Sequence, residues 1–233
     1  MFITFEGIDG AGKSTQTKIL SEKLKLFGFK TTTTCEPTVK QPGVVSISEL
    51  IFKGVNEANH CASERWFPVT EALLFMADRY EHVENVIRPA LKNGFIVLCD
   101  RYIDSTIAYQ GIGYKALSPE ELMTVHNICV GLMPDITILL DIDPVDAYKR
   151  REKRKQHENM DNDGKQCIFE RSRIEDMTKR REIFLHMANH NNNRYVIVQA
   201  DEPEKHIADE IWSNLQRIYP EFFCQTGNNV QSV

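Results

Sequence analysis

The sequence predicts an α/β fold, a three-layer sandwich with a five-stranded parallel sheet between helices. Two observations carry the prediction. Short apolar runs alternate with longer amphipathic stretches, as in successive βα units. A glycine-rich loop joins the first run to the first amphipathic stretch.

Phe2–Phe5 reads as the first strand. It enters the glycine loop directly, without the basic start and long apolar stretch of a signal peptide. Lys13–Phe27 is the first helix, Lys30–Thr34 the second strand and Val44–Lys53 the next helix. The polar segment Asn56–Glu64 reads as a loop, and Val69–Lys92 as one long helix. Phe95–Cys99 is a third strand that runs into Asp100. Pro119–Leu132 is a helix with a marked start: Ser118 is a cap, Pro119 suits the first helical position, and Glu121 closes a capping box. Ile136–Leu140, Pro144–Lys155, Phe169–Asn189, Tyr195–Val198 and Glu204–Ile218 complete the alternation. The β-branched and apolar content of the strands suits burial on both faces. Gln156–Gln166 has almost no apolar residues and is expected to be a flexible flap. With no repeat and no Pro-, Gly- or Ser-rich linker, residues 1–220 are read as one domain and 221–233 as a disordered tail.

The chain has 233 residues, 42% hydrophobic and 26% charged, an ordinary globular balance. Its net charge of −5 argues against a polynucleotide partner, which needs a basic surplus. No apolar run approaches the ~18 residues of a membrane span, so no membrane role is expected. Six scattered cysteines form no C-x-x-C pair, which points to free thiols and a cytoplasmic location.

Gly7-Ile8-Asp9-Gly10-Ala11-Gly12-Lys13-Ser14 fits G-x-x-x-x-G-K-[ST] at every fixed position. Glycines let successive amides turn toward phosphate oxygens, and the following helix adds the positive end of its dipole. The fold is therefore expected to be that of a P-loop NTPase, with ATP and Mg²⁺ as cofactors. The ATP-binding set is Gly7, Ile8, Asp9, Gly10, Ala11, Gly12, Lys13, Ser14 and Thr15. Lys13 would reach the β- and γ-phosphates, and Ser14 with Asp100 would hold Mg²⁺. A switch GTPase is excluded because no N-K-x-D motif occurs. Asp161-Asn162-Asp163-Gly164 fits D-x-x-G, but it lies in the polar flap.

Beyond the loop, several ordered motifs make the chain resemble the thymidylate kinase family over about residues 1–215. They are Phe2–Glu6 leading into the loop, Glu36-Pro37, Leu73–Tyr80 (LLFMADRY), Asp100–Gly111 (DRYIDSTIAYQG), an arginine-bearing segment, and a last strand ending in Ala200-Asp201. The resemblance implies strand order 2-3-1-4-5, transfer of the ATP γ-phosphoryl group to dTMP, a flexible lid at about 149–175, and a homodimer through helices of the 44–93 region. It also implies an acceptor site of Asp9, Glu36, Pro37, Phe75, Arg79, Arg101, Ser105, Thr106, Tyr109 and Gln110. The implied catalytic set is Lys13, Arg101, Arg150, Arg154 and Asp9.

The residue types support these roles, with alternatives. Phe75 and Arg79 are i, i+4 on one helix, so an aromatic plane and a guanidinium share a face; otherwise Phe75 is core and Arg79 a surface ion pair. Arg101 would grip the acceptor phosphate, or form an ion pair with a nearby carboxylate. Asp9 would face the acceptor's 3′-hydroxyl, or stabilise its own turn. Arg150 and Arg154 would project together over the transferring phosphoryl group, unless Lys149–Lys155 is a solvated face.

A deoxynucleoside kinase with Glu36 as general base is the competing enzyme, and a catalytically dead nucleotide-binding protein the competing non-enzyme. Three departures from the family's pattern stand out. Cys35-Glu36-Pro37-Thr38-Val39 replaces Arg-Glu-Pro-Gly-Gly. Ser48 occupies the place of a phosphate-gripping arginine, with Lys53 the nearest cation downstream. Ser172-Arg173-Ile174-Glu175 stands for Asp-Arg-x-Glu.

Overall fold

The computed structural model describes residues 1–38, 46–56, 66–113, 117–157 and 172–223. Five parallel strands form the sheet: β1 (Phe2–Glu6), β2 (Thr31–Cys35), β3 (Ile96–Asp100), β4 (Ile136–Asp141) and β5 (Tyr195–Gln199). Their order is β2-β3-β1-β4-β5, as expected. Alternating strand residues feed two apolar layers. Ile3, Phe5 and Leu98 join Leu20, Phe184 and Leu215 on one face. Phe2, Val97 and Cys99 join Val83, Ile87 and Tyr102 on the other.

The register brings the functional ends together. Phe5 of central β1 pairs with Asp100 of β3, and the Arg101 amide donates to the Phe5 carbonyl at 3.0 Å. The Glu36 amide donates to the Asp100 carbonyl at 3.0 Å. Three loops therefore leave the carboxyl edge side by side, where open α/β sheets place ligands.

Helix α1 (Lys13–Leu26) follows the glycine loop and α2 (Ile47–Asn56) follows β2. The expected single helix over Val69–Lys92 is instead α3 (Pro68–His82), a π-helical turn (Val83–Ile87) and α4 (Arg88–Lys92). Pro89 explains the break: it has no amide to donate, and its ring would crowd the carbonyl four residues back. Residues 103–113 form α5 (Ile103–Thr106) and a π-helical stretch from Ile107 to Gly113.

The expected capping box opens α6 (Pro119–Cys129): the Glu121 amide donates to Ser118 Oγ at 3.2 Å, and the Ser118 amide to Glu121 Oε2 at 2.8 Å. That helix stops short of Leu132 because Gly131, at φ 64°, turns the chain left-handed. α7 (Pro144–His157), α8 (Ile174–His190) and α9 (Glu204–Ile218) cover the β4–β5 side. Most of the expected flap and of the Asn56–Glu64 loop lies outside the described residues. The expected tail begins too early, because α10 (Pro220–Phe223) carries buried Phe223 against Phe29 and Trp212. Among the described residues no helix is long and apolar enough to cross a membrane.

Candidate active site

The glycine loop can close only with glycine at two points. A side chain on Gly7 (φ 134°) would sit 2.6 Å from the Leu140 carbonyl oxygen, and one on Gly10 (φ 90°) 2.3 Å from that of Ala147. Lys13 Nζ donates to the Gly7 and Ile8 carbonyls, both at 3.0 Å. Burial pulls the Lys13 pKa down to about 8, with neighbouring Arg101 pushing the same way. Ser14 Oγ donates to Asp100 Oδ2 at 2.5 Å, while Asp100 Oδ1 is buried without a hydrogen-bond partner.

A cavity of about 580 Å³ opens over this loop. Residues 9–16, Asp100 and Arg101 line it, together with Arg150 and Arg154 of α7 and residues 202–204. Gly7 and Ile8 are the members of the expected ATP set that do not line it; their carbonyls hold Lys13 instead. Arg150 Nη1 donates to the Ala200 carbonyl at 2.6 Å.

A second cavity, of about 160 Å³, adjoins the first. Asp9, Glu36, Pro37, Phe75, Arg79, Arg101, Ser105, Thr106, Tyr109 and Gln110 all line it, so the structure brings the expected acceptor residues into one place. Asp9 and Arg101 line both cavities. They form an ion pair, and Tyr109 Oη donates to Asp9 Oδ2 at 3.0 Å. Burial pushes the Asp9 pKa up, but Arg101, Lys13 and Tyr109 outweigh it and hold the carboxyl below its ordinary value.

The floor of the smaller cavity is a buried polar network. Arg79, 1% exposed, donates from Nε to Glu36 Oε2 at 2.8 Å and from Nη2 to Thr106 Oγ1 at 2.8 Å. It is therefore neither on the surface nor a simple ion pair. His82 Nδ1 lies 3.1 Å from Glu36 Oε1. Burial raises the Glu36 pKa, yet Arg79 and His82 overcome it, leaving the pKa lowered. A carboxylate held in this way is a poor general base, which works best with a pKa near the operating pH.

Comparison with known proteins agrees with this geometry. A sequence profile of the thymidylate kinase family matches residues 5–211. The chain belongs to the thymidylate kinase family. Similar proteins are the thymidylate kinase of Thermomicrobium roseum, 38% identical over 93% of this chain and 95% of that protein, and that of Maridesulfovibrio salexigens, 39% identical over 95% and 98%. The crystal structure of thymidylate kinase from Ehrlichia chaffeensis superposes with a TM-score of 0.66 at 29% identity, covering 93% of this chain and 98% of that one. Membership makes the chain an ATP-dependent kinase, and the deoxynucleoside kinase alternative is not favoured.

Sequence reasoning missed several wall residues. Phe52 and Tyr102 line the acceptor cavity, and the Arg79 guanidinium lies 5.1 Å over the Tyr102 ring. Tyr102 stood inside the DRY motif; nothing in the pattern of α2 singles out Phe52. Gln16 and Arg151 line the donor cavity. Arg151 is 2% exposed and donates from Nη2 to the Ser172 carbonyl at 3.1 Å, so it ties α7 to the residues just before α8. At Ser48, where the family places an arginine, the hydroxyl is buried and 2.5 Å from Ser46 Oγ. The Lys53 side chain lies outside the described residues.

Proposed function

We propose that the two cavities hold ATP and dTMP head to head, and that the chain transfers the γ-phosphoryl group to the dTMP phosphate, giving dTDP and ADP. The supporting observation is that Asp9 and Arg101 line both cavities, so acceptor and donor phosphates meet at one guanidinium. A monophosphate has a second pKa near ~6, so at neutral pH its oxygens need no base; positioning and charge neutralisation suffice. Loop amides and Lys13 hold the donor phosphates, Arg101 grips the acceptor phosphate, and Arg150 and Arg154 offset the charge that spreads over the transferring group. Phe75 and Arg79 hold the base, and Asp9 faces the sugar hydroxyl.

Ser14 and Asp100 fit a divalent cation. Asp100 offers a carboxylate oxygen without a hydrogen-bond partner beside the Ser14 hydroxyl. No group of three or more His, Cys, Asp or Glu ligands occurs among the described residues, as suits Mg²⁺ that takes phosphate oxygens and water for the rest of its shell. Bound there, Mg²⁺ would neutralise phosphate charge. Val69, Leu73 and Tyr80 recur on one exposed side of α3, which supports a homodimer through this helix. Free Cys35, Cys99 and Cys129 suit the cytoplasm.

A coupled ADP-release assay over dTMP, dUMP, UMP, dCMP, AMP and GMP, with thymidine as control, tests the reading. Turnover is expected with dTMP and none with thymidine. Phosphorylation of thymidine, or ATP binding without turnover of any monophosphate, would contradict it.

A further inference from the structure

Glu6, the last residue of β1, lies outside both cavities and is fully buried. A carboxyl group taken from water is costly unless donors meet it. Three do, and all come from the turn just after Arg101. The Tyr102 amide donates to Glu6 Oε1 at 2.7 Å, the Ser105 amide to the same oxygen at 3.3 Å, and Ser105 Oγ to Oε2 at 2.6 Å.

That turn is conformationally demanding. Arg101 has φ 72°, a left-handed conformation that a long side chain rarely adopts. Holding the next amide and the Ser105 amide fixes the backbone on the far side of it. Ser105 then extends the hold to the side chain: its oxygen accepts from Arg101 Nη1 at 3.1 Å, and Arg101 Nη2 reaches Asp9. Whichever of the two oxygens carries the proton between Ser105 and Glu6, the hydroxyl keeps a lone pair for the guanidinium. The order of contacts is Glu6, Ser105, Arg101, Asp9, running from the core to the junction of the two cavities.

We propose that Glu6 is a positioning residue for phosphoryl transfer, fixing the Arg101 guanidinium between donor and acceptor through Ser105 and the 102–105 turn. The inference rests on the reading of Arg101 as the group that grips the acceptor phosphate. Glu6 touches neither nucleotide. Its loss acts on the acceptor and on turnover, and leaves the loop that binds ATP in place.

The test uses Glu6→Leu, which keeps bulk and removes the acceptors, Glu6→Gln, which keeps a carbonyl for the two amides, and Ser105→Ala. For Glu6→Leu, kcat/KM for dTMP is expected to fall ~10- to 100-fold, the equivalent of about one hydrogen bond to a charged group. The Kd for ATP alone should move less than about threefold, and Glu6→Gln should recover most of the loss. Adding Ser105→Ala to Glu6→Leu should cost less than the two single losses combined, because both cut one chain of contacts. Equal losses in dTMP and ATP affinity, additive losses, or unchanged dTMP kinetics in Glu6→Leu would overturn the inference. Should Glu6→Leu fail to fold, Glu6→Asp, which draws the carboxyl back from the 102–105 turn, takes its place: a fall in kcat/KM for dTMP with ATP affinity intact supports the chain of contacts, and unchanged dTMP kinetics refutes it. Wild-type turnover of dTMP is the control. Its absence overturns both readings, whereas normal turnover with insensitive variants overturns only this one.

Discussion

Replacing Arg79 by alanine probes the floor of the acceptor cavity. In the wild type the Arg79 and Glu36 side chains are 1% and 3% exposed and meet at 2.7 Å. Removing the guanidinium leaves Glu36 buried with His82 Nδ1 at 3.1 Å. Breaking such a pair from one side costs about 3–5 kcal/mol. The adjoining cavity of about 160 Å³ can admit water to the stranded carboxylate, so the lower end applies. At about 2–4 °C per kcal/mol for a chain of this size, Tm should fall about 6–12 °C at pH 7. The sign with pH follows from Glu36. Burial raises its pKa, but Arg79 and His82 bring it below the ordinary 4.5. The wild-type advantage is therefore present above pH 4.5 and fades as acid protonates the folded carboxylate. Thermal melts followed by circular dichroism at pH 7 and in stepwise acid, with dTMP affinity by calorimetry, measure both effects. A variant that melts within ~2 °C of wild type at pH 7, or whose deficit grows in acid, would refute this reasoning.

Other outcomes can be checked alongside. Lys13→Ala should fold with an unchanged melt yet lose at least ~10²-fold in turnover, as expected for a removed phosphate-stabilising donor. In the wild type, kcat/KM for ATP should decline above pH about 8, where the buried Lys13 ammonium of the free enzyme loses its proton. Desolvation, with Asp104 adding to it, raises the Glu6 pKa from 4.5 to about 8, so the folded chain holds a proton there that the unfolded chain releases. Wild-type stability should drop relative to Glu6→Gln as pH rises from 4.5 to about 8, and the gap should level off beyond. Ser118→Ala removes a cap and should cost about 1 kcal/mol, seen as a Tm lower by about 2–4 °C, with turnover unaltered.

The three inner strands, β1, β3 and β4, were legible because each is a short apolar run that the parallel sheet buries on both faces. The edge strands are part-exposed, and β2, all threonine up to Cys35, was legible from its β-branched residues. The glycine loop was legible because its spelling is dictated by backbone geometry, as the contacts expected of side chains on Gly7 and Gly10 show. The cap at Ser118 was legible because capping is local in sequence. What escaped depends on contacts between distant segments. Nothing near Phe223 in the chain announces that it packs on Phe29 and Trp212. Arg151 looked like one more member of a charged run, and only the fold turns it inward to Ser172. Arg79 could be assigned to a helix face with Phe75, but its burial comes from Glu36, 43 residues earlier in sequence. Glu6 was visible as the residue before the loop, yet its three donors lie 96 and 99 residues away. The π-helical turn at Val83–Ile87 is readable in retrospect from Pro89, a helix interior proline that needs a widened turn.

The claim on which the rest depends is that one guanidinium joins two nucleotide sites. A single molecule carrying adenosine and deoxythymidine, linked 5′ to 5′ through a polyphosphate chain, should fill both cavities at once. Calorimetry is expected to show one such molecule per chain, bound at least ~10²-fold more tightly than ATP or dTMP alone, with most of that gain lost in Arg101→Ala. Affinity no better than that of ATP alone, or a gain that survives Arg101→Ala, would contradict the account.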